Sequence, residues 1–153
     1  HQKISSKISF AGGAVFPASG SDWVMVHDAA RPFVDPADIR KLRDEVLSAG
    51  HGAILAMPMA DTVKEASPDR RILATRDRKS LWRAATPQAF RLSELLSALR
   101  RGTEGVTDES SAMERTGHPV SVVPGSTLNF KITTPDDTLI AEAIAESRLR
   151  KHP

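Results

Sequence analysis

The sequence has 153 residues, of which 40% are hydrophobic and 26% are charged, and its formal net charge is +2. This length and composition fit a single globular domain with a real core, and no apolar run is long enough to span a membrane. There is no cysteine, which excludes disulfides, thiolate zinc sites and a catalytic thiol and agrees with a cytoplasmic location.

The first third of the chain predicts strands separated by a helix. We expect a short strand at residues 8–10 followed by a loop, and then a strand at Trp23–Val26, whose continuous apolar run suits a parallel sheet covered on both faces. Asp35 followed by proline predicts a helix start, and Gly50 predicts its end. The apolar run at 53–57 completes a βαβ unit, for which we expect parallel strands.

Residues 58–82 predict an excursion from the sheet. Two short alternating segments, 61–64 and 71–75, flank Ser67-Pro68-Asp69, which is typical of a hairpin. A lone hairpin buries little of its own surface, so we expect it to pack on a partner chain. Basic residues outnumber acidic ones between Asp69 and Arg83, which fits either a solvated loop or an anion-binding arm.

The second half predicts three helices and several extended segments. Residues 85–90 indicate a compact extended or turn segment fixed by Pro87, and a helix follows. Thr107-Asp108 opens a second helix, and residues 120–123 and 129–133 are typical of strands. Thr134 caps the last helix, on which we expect Ile140, Ala143 and Ile144 to face inward.

Polar side chains recur where the predicted strands end. Hydroxyl, lysine and arginine side chains at one sheet edge are what a phosphate-bearing substrate needs, because each donates toward anionic oxygens. The bland alternative is that each caps a helix or turn, with Asp28 and Arg31 paired to each other. The five histidines lack metal-ligand spacing, and no common phosphate-binding loop motif or G-x-S-x-G is present. The polar set comprises Asp28, Arg31, Asp61, Thr62, Thr86, Thr107, Asp108, Lys131 and Thr133.

Five motifs, in this order, resemble the 2-C-methyl-D-erythritol 4-phosphate cytidylyltransferase family of the non-mevalonate isoprenoid pathway: residues 26–33, 61–64, 81–90, 107–109 and 129–137. The resemblance implies an α/β, three-layer Rossmann-like nucleotidyltransferase fold with a mostly parallel sheet and a projecting β-arm. Residues 1–153 would be one domain, incomplete at its N-terminus. Residues 58–82 would be the arm, through which two copies form a homodimer.

The implied reaction transfers a cytidylyl group from CTP to methylerythritol phosphate, releasing pyrophosphate. The resemblance implies that Lys131 and Asp28 are catalytic, that Asp28, Ala29 and Lys131 bind the nucleotide, and that Asp28 lies in the metal region. Magnesium would be held mostly by the triphosphate. No nucleic acid or membrane partner is expected. The implied substrate-binding residues are Arg31, Thr62, Arg78, Thr86, Thr107 and Thr133, with Thr62 and Arg78 reaching into the partner's site.

The sequence departs from the family at its start. The family's glycine-rich A-A-G-x-G-x-R-x-G loop and P-K-Q segment, which hold CTP, have no match here. We therefore expect an incomplete record of the protein rather than a true fragment, and expect that the chain as written binds CTP poorly. Two alternatives stay open: a related ribitol-phosphate-type cytidylyltransferase, and a catalytically inactive fragment that only dimerises.

Overall fold

The structure is a computed structural model that describes residues 7–9, 15–17, 19–102 and 104–151. The predicted strand at 8–10 is confirmed at Ile8 and Ser9, whereas the loop predicted after it is wrong at Val15–Pro17, which form a strand. Residues 10–14 and 18 lie outside the described residues. The strands are β1 (Lys7–Ser9), β2 (Val15–Pro17), β3 (Trp23–Val26), β4 (Gly52–Pro58), β5 (Val63–Ala66), β6 (Ile72–Arg76), β7 (Trp82–Arg91) and β8 (Val120–Pro124), and the helices are α1 (Pro36–Ala49), α2 (Leu92–Arg100), α3 (Glu109–Arg115) and α4 (Pro135–Lys151). Strands β1 and β2 pair antiparallel with each other.

The main sheet has four strands in the spatial order β3–β7–β4–β8. Strand β7 runs antiparallel to both of its neighbours, and β4 and β8 are parallel. Strands β3, β4 and β8 thus point the same way, as a βαβ reading predicts, but β7 lies between β3 and β4. The expected mostly parallel sheet is therefore not confirmed: the described strands of the main sheet form two antiparallel pairs and one parallel pair.

Residues 85–90 were predicted as a compact extended or turn segment. The extended alternative is confirmed, but these residues belong to a longer element, the ten-residue strand β7 at the centre of the sheet. A proline normally argues against a central strand, because it cannot donate to the ladder. Here the pairing with β4 shifts register between Ile54 and Ala56, opposite the cis Thr86-Pro87 bond. The irregular pairing accommodates the proline and bends β7 away from the regular ladder at Thr86.

The core has two parts, one on each face of the sheet. Because side chains alternate along a strand, Leu55 of β4 packs with Leu42 and Val46 of α1, while Ile54 packs with α2 and α3 on the other face. Phe90 of β7 is fully buried in that second cluster. The domain therefore has three layers. Strand β3, expected to be covered on both faces, is only half-buried, and within the described residues it pairs only with β7.

Local sequence signals account for the boundaries of α1. The Asp35 carboxylate accepts a hydrogen bond from the backbone N–H of Ala37, and Pro36 occupies the first helical position, where its missing N–H costs nothing. Gly50 ends the helix with a φ of 74°, in the left-handed region that glycine adopts without steric cost. These predictions from the sequence are confirmed.

The C-terminal region differs from the sequence expectation. Residues 129–133 form no strand, because their backbone and side chains bond to other segments instead of to a ladder. On α4, the predicted inward face is wrong for Ile140, which is 52% exposed, and for Ala143, which is exposed, whereas Ile144 is half-buried and Ala141 is buried. The start of this helix is as predicted from Thr134 and Pro135. Over the described residues, no helix is both long and apolar enough to cross a bilayer.

The predicted hairpin is confirmed as a separate two-stranded sheet. Strands β5 and β6 pair antiparallel, with Lys64 Nζ donating to Thr75 Oγ1 and an Arg76–Glu65 ion pair across them. Arg70 in its turn has a φ of 65°. Ile72 and Leu73 are 66% and 64% exposed, so the hairpin presents apolar surface to solvent.

Candidate functional site

A cleft of about 470 Å³ opens at the irregular part of β7. Its walls come from the turn after β3, from β7, from the start of α3 and from the irregular segment before α4. Six of the residues singled out from the sequence line it: Asp28, Arg31, Thr86, Thr107, Asp108 and Lys131. Segments that are far apart in the chain thus converge on one rim.

Asp28 and Lys131 form an ion pair across the cleft, with 2.8 Å between Oδ2 and Nζ. The second carboxylate oxygen of Asp28 accepts a hydrogen bond from the backbone N–H of Ala30. The bond to Lys131, followed by the bond from Ala30, lowers the pKa of Asp28 below its usual value. The carboxylate is therefore ionised at neutral pH, and the Lys131 amine stays 49% exposed to a ligand.

The side chains of Arg31 and Asp28 form no ion pair, so that part of the alternative interpretation is wrong. Its other part, a turn capped by Asp28, is confirmed, because the Asp28 carboxylate accepts from the Ala30 N–H and its carbonyl from the Arg31 N–H. Arg31 Nη1 donates to the backbone carbonyl oxygen of Asn129 at 2.9 Å. Burial lowers the pKa of the Arg31 guanidinium, and the nearby Asp28 charge opposes that shift. A guanidinium keeps its proton in proteins, so Arg31 brings a partly desolvated positive charge to the cleft.

Thr86 connects the turn after β3 to β7. Its hydroxyl oxygen accepts from the backbone N–H of Asp28 at 2.9 Å and lies 3.0 Å from His27 Nδ1. His27 Nε2 faces the carbonyl oxygen of Arg31 at 3.0 Å. Because a carbonyl can only accept, Nε2 carries the proton, and in the neutral ring the Thr86 hydroxyl donates to Nδ1. The Thr86 oxygen retains one lone pair for a ligand hydroxyl.

Asp108 fixes the start of α3, next to Thr107. Its carboxylate accepts from the backbone N–H of Ser111 at 3.0 Å and from Nε2 of the buried Gln88 at 2.8 Å. The Gln88 Oε1 atom in turn accepts from the backbone N–H of Ser110 at 2.9 Å. Burial alone would raise the pKa of Asp108, but these hydrogen bonds outweigh it and lower the pKa. This network holds the Thr107 end of α3 against β7.

Four of the predicted site residues do not line this cleft. Thr62 and Arg78 lie at the base of the hairpin beside a separate cleft of about 430 Å³, and Arg78 donates to the carbonyl oxygen of Ala60. Ala29 is exposed in the turn after Asp28. Thr133 was expected in the same pocket as Thr86, but its hydroxyl donates to Asp137 at 3.0 Å and helps to cap α4.

The sequence reading missed three polar residues that build the site: His27, Gln88 and Asn129. Gln88 is 1% exposed and Asn129 is fully buried. A buried polar side chain needs a partner, so a glutamine inside the apolar run before Phe90 was a usable signal. Asn129 gave no such signal, because its segment resembled an edge strand with alternating polar residues.

The geometry combines two cationic side chains with two hydroxyl side chains. The Arg31 guanidinium and Lys131 amine suit the negative charges of a phosphate ester, and the hydroxyls of Thr86 and Thr107 suit a polar organic group beside it. Three acidic residues also line the cleft: Asp28, which is held by Lys131, Asp108, which accepts from Gln88 and Ser111, and Glu109. The fold and this cleft define an α/β domain with a polar ligand cleft whose lining carries charges of both signs.

Comparison with known proteins shows which member of that class it is. The family model described as "IspD: 2-C-methyl-D-erythritol 4-phosphate cytidylyltransferase" matches residues 10–147. The chain belongs to this family. The family enzyme of Bordetella petrii is 48% identical over 128 residues, which are 82% of this chain and 56% of that protein. The chain thus spans about half the length of the curated relatives it matches.

Solved structures agree with this assignment. A crystal structure of 4-diphosphocytidyl-2C-methyl-D-erythritol synthase superposes with a TM-score of 0.76 at 38% identity, covering 84% of this chain and 58% of that one. The Francisella tularensis 2-C-methyl-D-erythritol 4-phosphate cytidylyltransferase gives a TM-score of 0.73 at 38% identity, covering 81% of this chain and 59% of that one. The resemblance inferred from the five motifs is confirmed.

Proposed function

We propose that the protein transfers a cytidylyl group from CTP to 2-C-methyl-D-erythritol 4-phosphate, and that this chain supplies the half of the site that holds the polyol phosphate. The observation that supports this most is the convergence of Arg31, Lys131, Thr86 and Thr107 on one cleft, in a chain of the IspD family. In the reaction, an oxygen of the substrate phosphate attacks the α-phosphorus of CTP. The bond to the β-phosphate breaks, and pyrophosphate leaves.

The chemistry requires two anions to meet, so the main task of the residues is charge stabilisation and orientation. Arg31, held by the Asn129 carbonyl, binds the substrate phosphate. Lys131 lies 2.8 Å from Asp28 and is exposed enough to move onto the phosphate oxygens as charge builds up on them. Removing one such preorganised charge typically lowers turnover by about 10²- to 10³-fold.

The hydroxyl side chains orient the polyol. Because the Thr86 proton is directed at His27 Nδ1, its oxygen accepts a hydrogen bond from a substrate hydroxyl. Thr107 precedes the cap of α3, which the Gln88–Asp108 bond fixes. Ala29, in the exposed turn between Asp28 and Arg31, is proposed to border the nucleotide.

The cleft offers few protein ligands for magnesium, the ion that the family resemblance implies. The described residues contain no group of three His, Cys, Asp or Glu side chains placed to hold a metal. Asp28, the carboxylate beside Lys131 and Arg31, offers one ligand. A single protein ligand agrees with an ion that keeps several waters and binds mainly to the substrate phosphates. When bound, magnesium neutralises phosphate charge. We propose Asp28 as the protein group nearest to it.

The hairpin is proposed to complete the site of a second copy. Thr62 and Arg78 lie on the hairpin, away from the cleft of their own chain, and Ile72 and Leu73 are exposed on it. Burying these two side chains against a partner would contribute about 1.5–3 kcal/mol each. In this homodimer, Thr62 and Arg78 bind the polyol phosphate in the partner's cleft. Thr133 is proposed to act at the same cleft only indirectly, through the start of α4.

Two measurements test the proposal. Isothermal titration of the chain with methylerythritol phosphate tests the substrate half, and pyrophosphate release from CTP tests the reaction in the natural protein. Turnover with ribitol 5-phosphate and none with methylerythritol phosphate would reassign the substrate. Dimerisation without binding of either sugar phosphate would indicate a module that acts only in assembly.

Thr62→Ala and Arg78→Ala should weaken sugar phosphate binding without changing CTP affinity, and equal losses for both ligands would contradict the hairpin's role.

A further inference from the structure

We infer that Asn129 is the positioning residue of the cleft: its buried side chain joins the wall that carries Thr86 to the segment that carries Lys131 and holds Arg31. The Asn129 residue is fully buried, and its Nδ2 donates to the backbone carbonyl oxygen of Thr86 at 2.7 Å. The backbone carbonyl oxygen of Asn129 accepts a hydrogen bond from Arg31 Nη1 at 2.9 Å. One residue therefore contacts two of the residues whose side chains would bind the proposed substrate, Thr86 through its backbone carbonyl and Arg31 through its guanidinium.

The surrounding bonds form a closed ring through three separate segments. Asp28 donates its N–H to the Thr86 hydroxyl, and Thr86 accepts from Asn129. The segment of Asn129 returns to the turn after β3 through two further contacts, the Lys131–Asp28 ion pair and the bond from the Ile132 N–H to the Ala30 carbonyl at 2.9 Å. Because residues 129–133 form no strand, these contacts replace a ladder in fixing the segment.

The far end of the same segment is anchored independently of the cleft. The buried Asp38 carboxylate of α1 accepts from the backbone N–H of Ser126 at 2.7 Å, and the Ser126 carbonyl accepts from the Asn129 N–H at 3.1 Å. The segment is thus tied to α1 at one end and to β7 through the Asn129 side chain. Loss of the Asn129 donor would free the cleft end while leaving the α1 end in place.

The two halves of the Asn129 amide differ in their contacts. Nδ2 donates to the Thr86 carbonyl, whereas within the described residues Oδ1 is buried without a hydrogen-bond partner, as is Nε of Arg31. The donor half is therefore the part of the side chain that links the segment to β7, and its removal is the perturbation that tests the link.

The test compares Asn129→Asp with Asn129→Ala. Aspartate keeps the size of the side chain but cannot donate to the Thr86 carbonyl when ionised, so both variants lose the link to β7. Val46→Ala is the matched control, because Val46 is 1% exposed in the core between α1 and β4 and its truncation lowers stability without touching the segment. Urea unfolding of all three variants shows how far each loses global stability.

The first readout needs no ligand. Hydrogen exchange at the Ile132 and Asp28 amides reports the contacts of the segment with the turn and with Thr86. We expect both Asn129 variants to speed exchange at these two amides by roughly tenfold or more relative to β4 amides, since local opening is independent of global unfolding. In Val46→Ala, all protected amides should change together. The same uniform pattern in the Asn129 variants would overturn the inference.

The second readout is the affinity for methylerythritol phosphate by titration calorimetry, and this part rests on the proposed function. We expect a roughly 10- to 100-fold weaker Kd in both Asn129 variants, because small misplacements of binding groups have effects of that size, and little change in Val46→Ala. Equal affinity in the Asn129 variants and the wild type would overturn the role in binding. If the wild type does not bind the probe but exchange changes locally, the positioning role stands and the proposed substrate is wrong.

Discussion

Replacing Asp108 by alanine should destabilise the domain more than the loss of an ordinary helix cap. The carboxylate accepts the Ser111 N–H at the start of α3, and removing such a cap costs about 0.5–2 kcal/mol. It also accepts from Nε2 of Gln88, which is 1% exposed and whose other acceptor, the Ala85 carbonyl, is 3.4 Å away. Leaving that donor nearly unpaired costs about 1–3 kcal/mol more. The expected loss in free energy of unfolding is therefore about 1.5–5 kcal/mol.

Asp35→Ala provides the matched control. Asp35 caps α1 with one hydrogen bond to the N–H of Ala37 at 2.7 Å, and it is exposed. Its replacement should cost only the cap, about 1 kcal/mol. Urea unfolding followed by circular dichroism at neutral pH measures both losses. In a Gln88→Leu background, Asp108→Ala should cost less than in the wild type, because the Gln88 donor is gone and only the cap and the bond from the buried Ser110 hydroxyl are lost. Equal losses for the two alanine variants in the wild-type background would refute the reasoning.

Three further predictions concern pH, packing and turnover. The backbone N–H groups of Thr133 and Thr134 lower the pKa of Asp137 to about 2 from 3.8. The contribution of this carboxylate to stability is therefore complete above pH 3.8 and is lost as the pH falls toward 2. The free energies of unfolding of the wild type and of Asp137→Asn, measured against pH, should converge in that interval. Gly52→Ala should lower the free energy of unfolding by about 1–3 kcal/mol, because a Cβ there would lie 2.8 Å from Cε1 of the buried Phe90. A melting temperature equal to that of the wild type would contradict this packing. Lys131→Met should lower turnover by about 10²-fold or more. The urea midpoint should stay nearly unchanged, since the Lys131–Asp28 ion pair is exposed. A loss of turnover accompanied by a matching loss of stability would assign Lys131 a structural role.

The sequence predicts best those elements whose boundaries are set by local chemistry. The cap at Asp35 and the glycine at 50 define α1, and the cap at Asp108 marks the start of α3, because each signal acts within one helical turn. The hairpin was predicted for the same reason, since its turn and its two strands are neighbours in the chain. Such features need no knowledge of the remote partners.

The errors concern long-range pairing. Whether β7 pairs with β3 and β4 depends on residues far from it in the chain, and Pro87 suggested a turn because no local signal shows the register shift that accommodates it. Residues 129–133 alternate like a strand, yet their hydrogen bonds go to the turn after β3 and to Thr86. On α4, the apolar residues gave the right helix but the wrong buried face.

The candidate site shows the same division. Asp28, Arg31, Thr86, Thr107 and Lys131 stand at the ends of predicted elements, so strand-end reasoning and the family motifs both found them. The supporting residues, Gln88 and Asn129, act through buried hydrogen bonds between segments, which a sequence alone does not reveal. Groups that face the ligand were therefore predictable, and the groups that hold them in place were not.

The hairpin leaves and re-enters the main sheet at adjacent positions. Pro58 pairs with Trp82, and the Met59 N–H donates to the Leu81 carbonyl at 3.0 Å, so the two points of attachment are already joined. The hairpin is thus an insertion whose two ends are already joined by hydrogen bonds. Its length can change, even down to a tight turn, with little effect on loop-closure entropy, since doubling the length of a loop costs only about 0.6 kcal/mol. The hairpin and the layered body can therefore change independently.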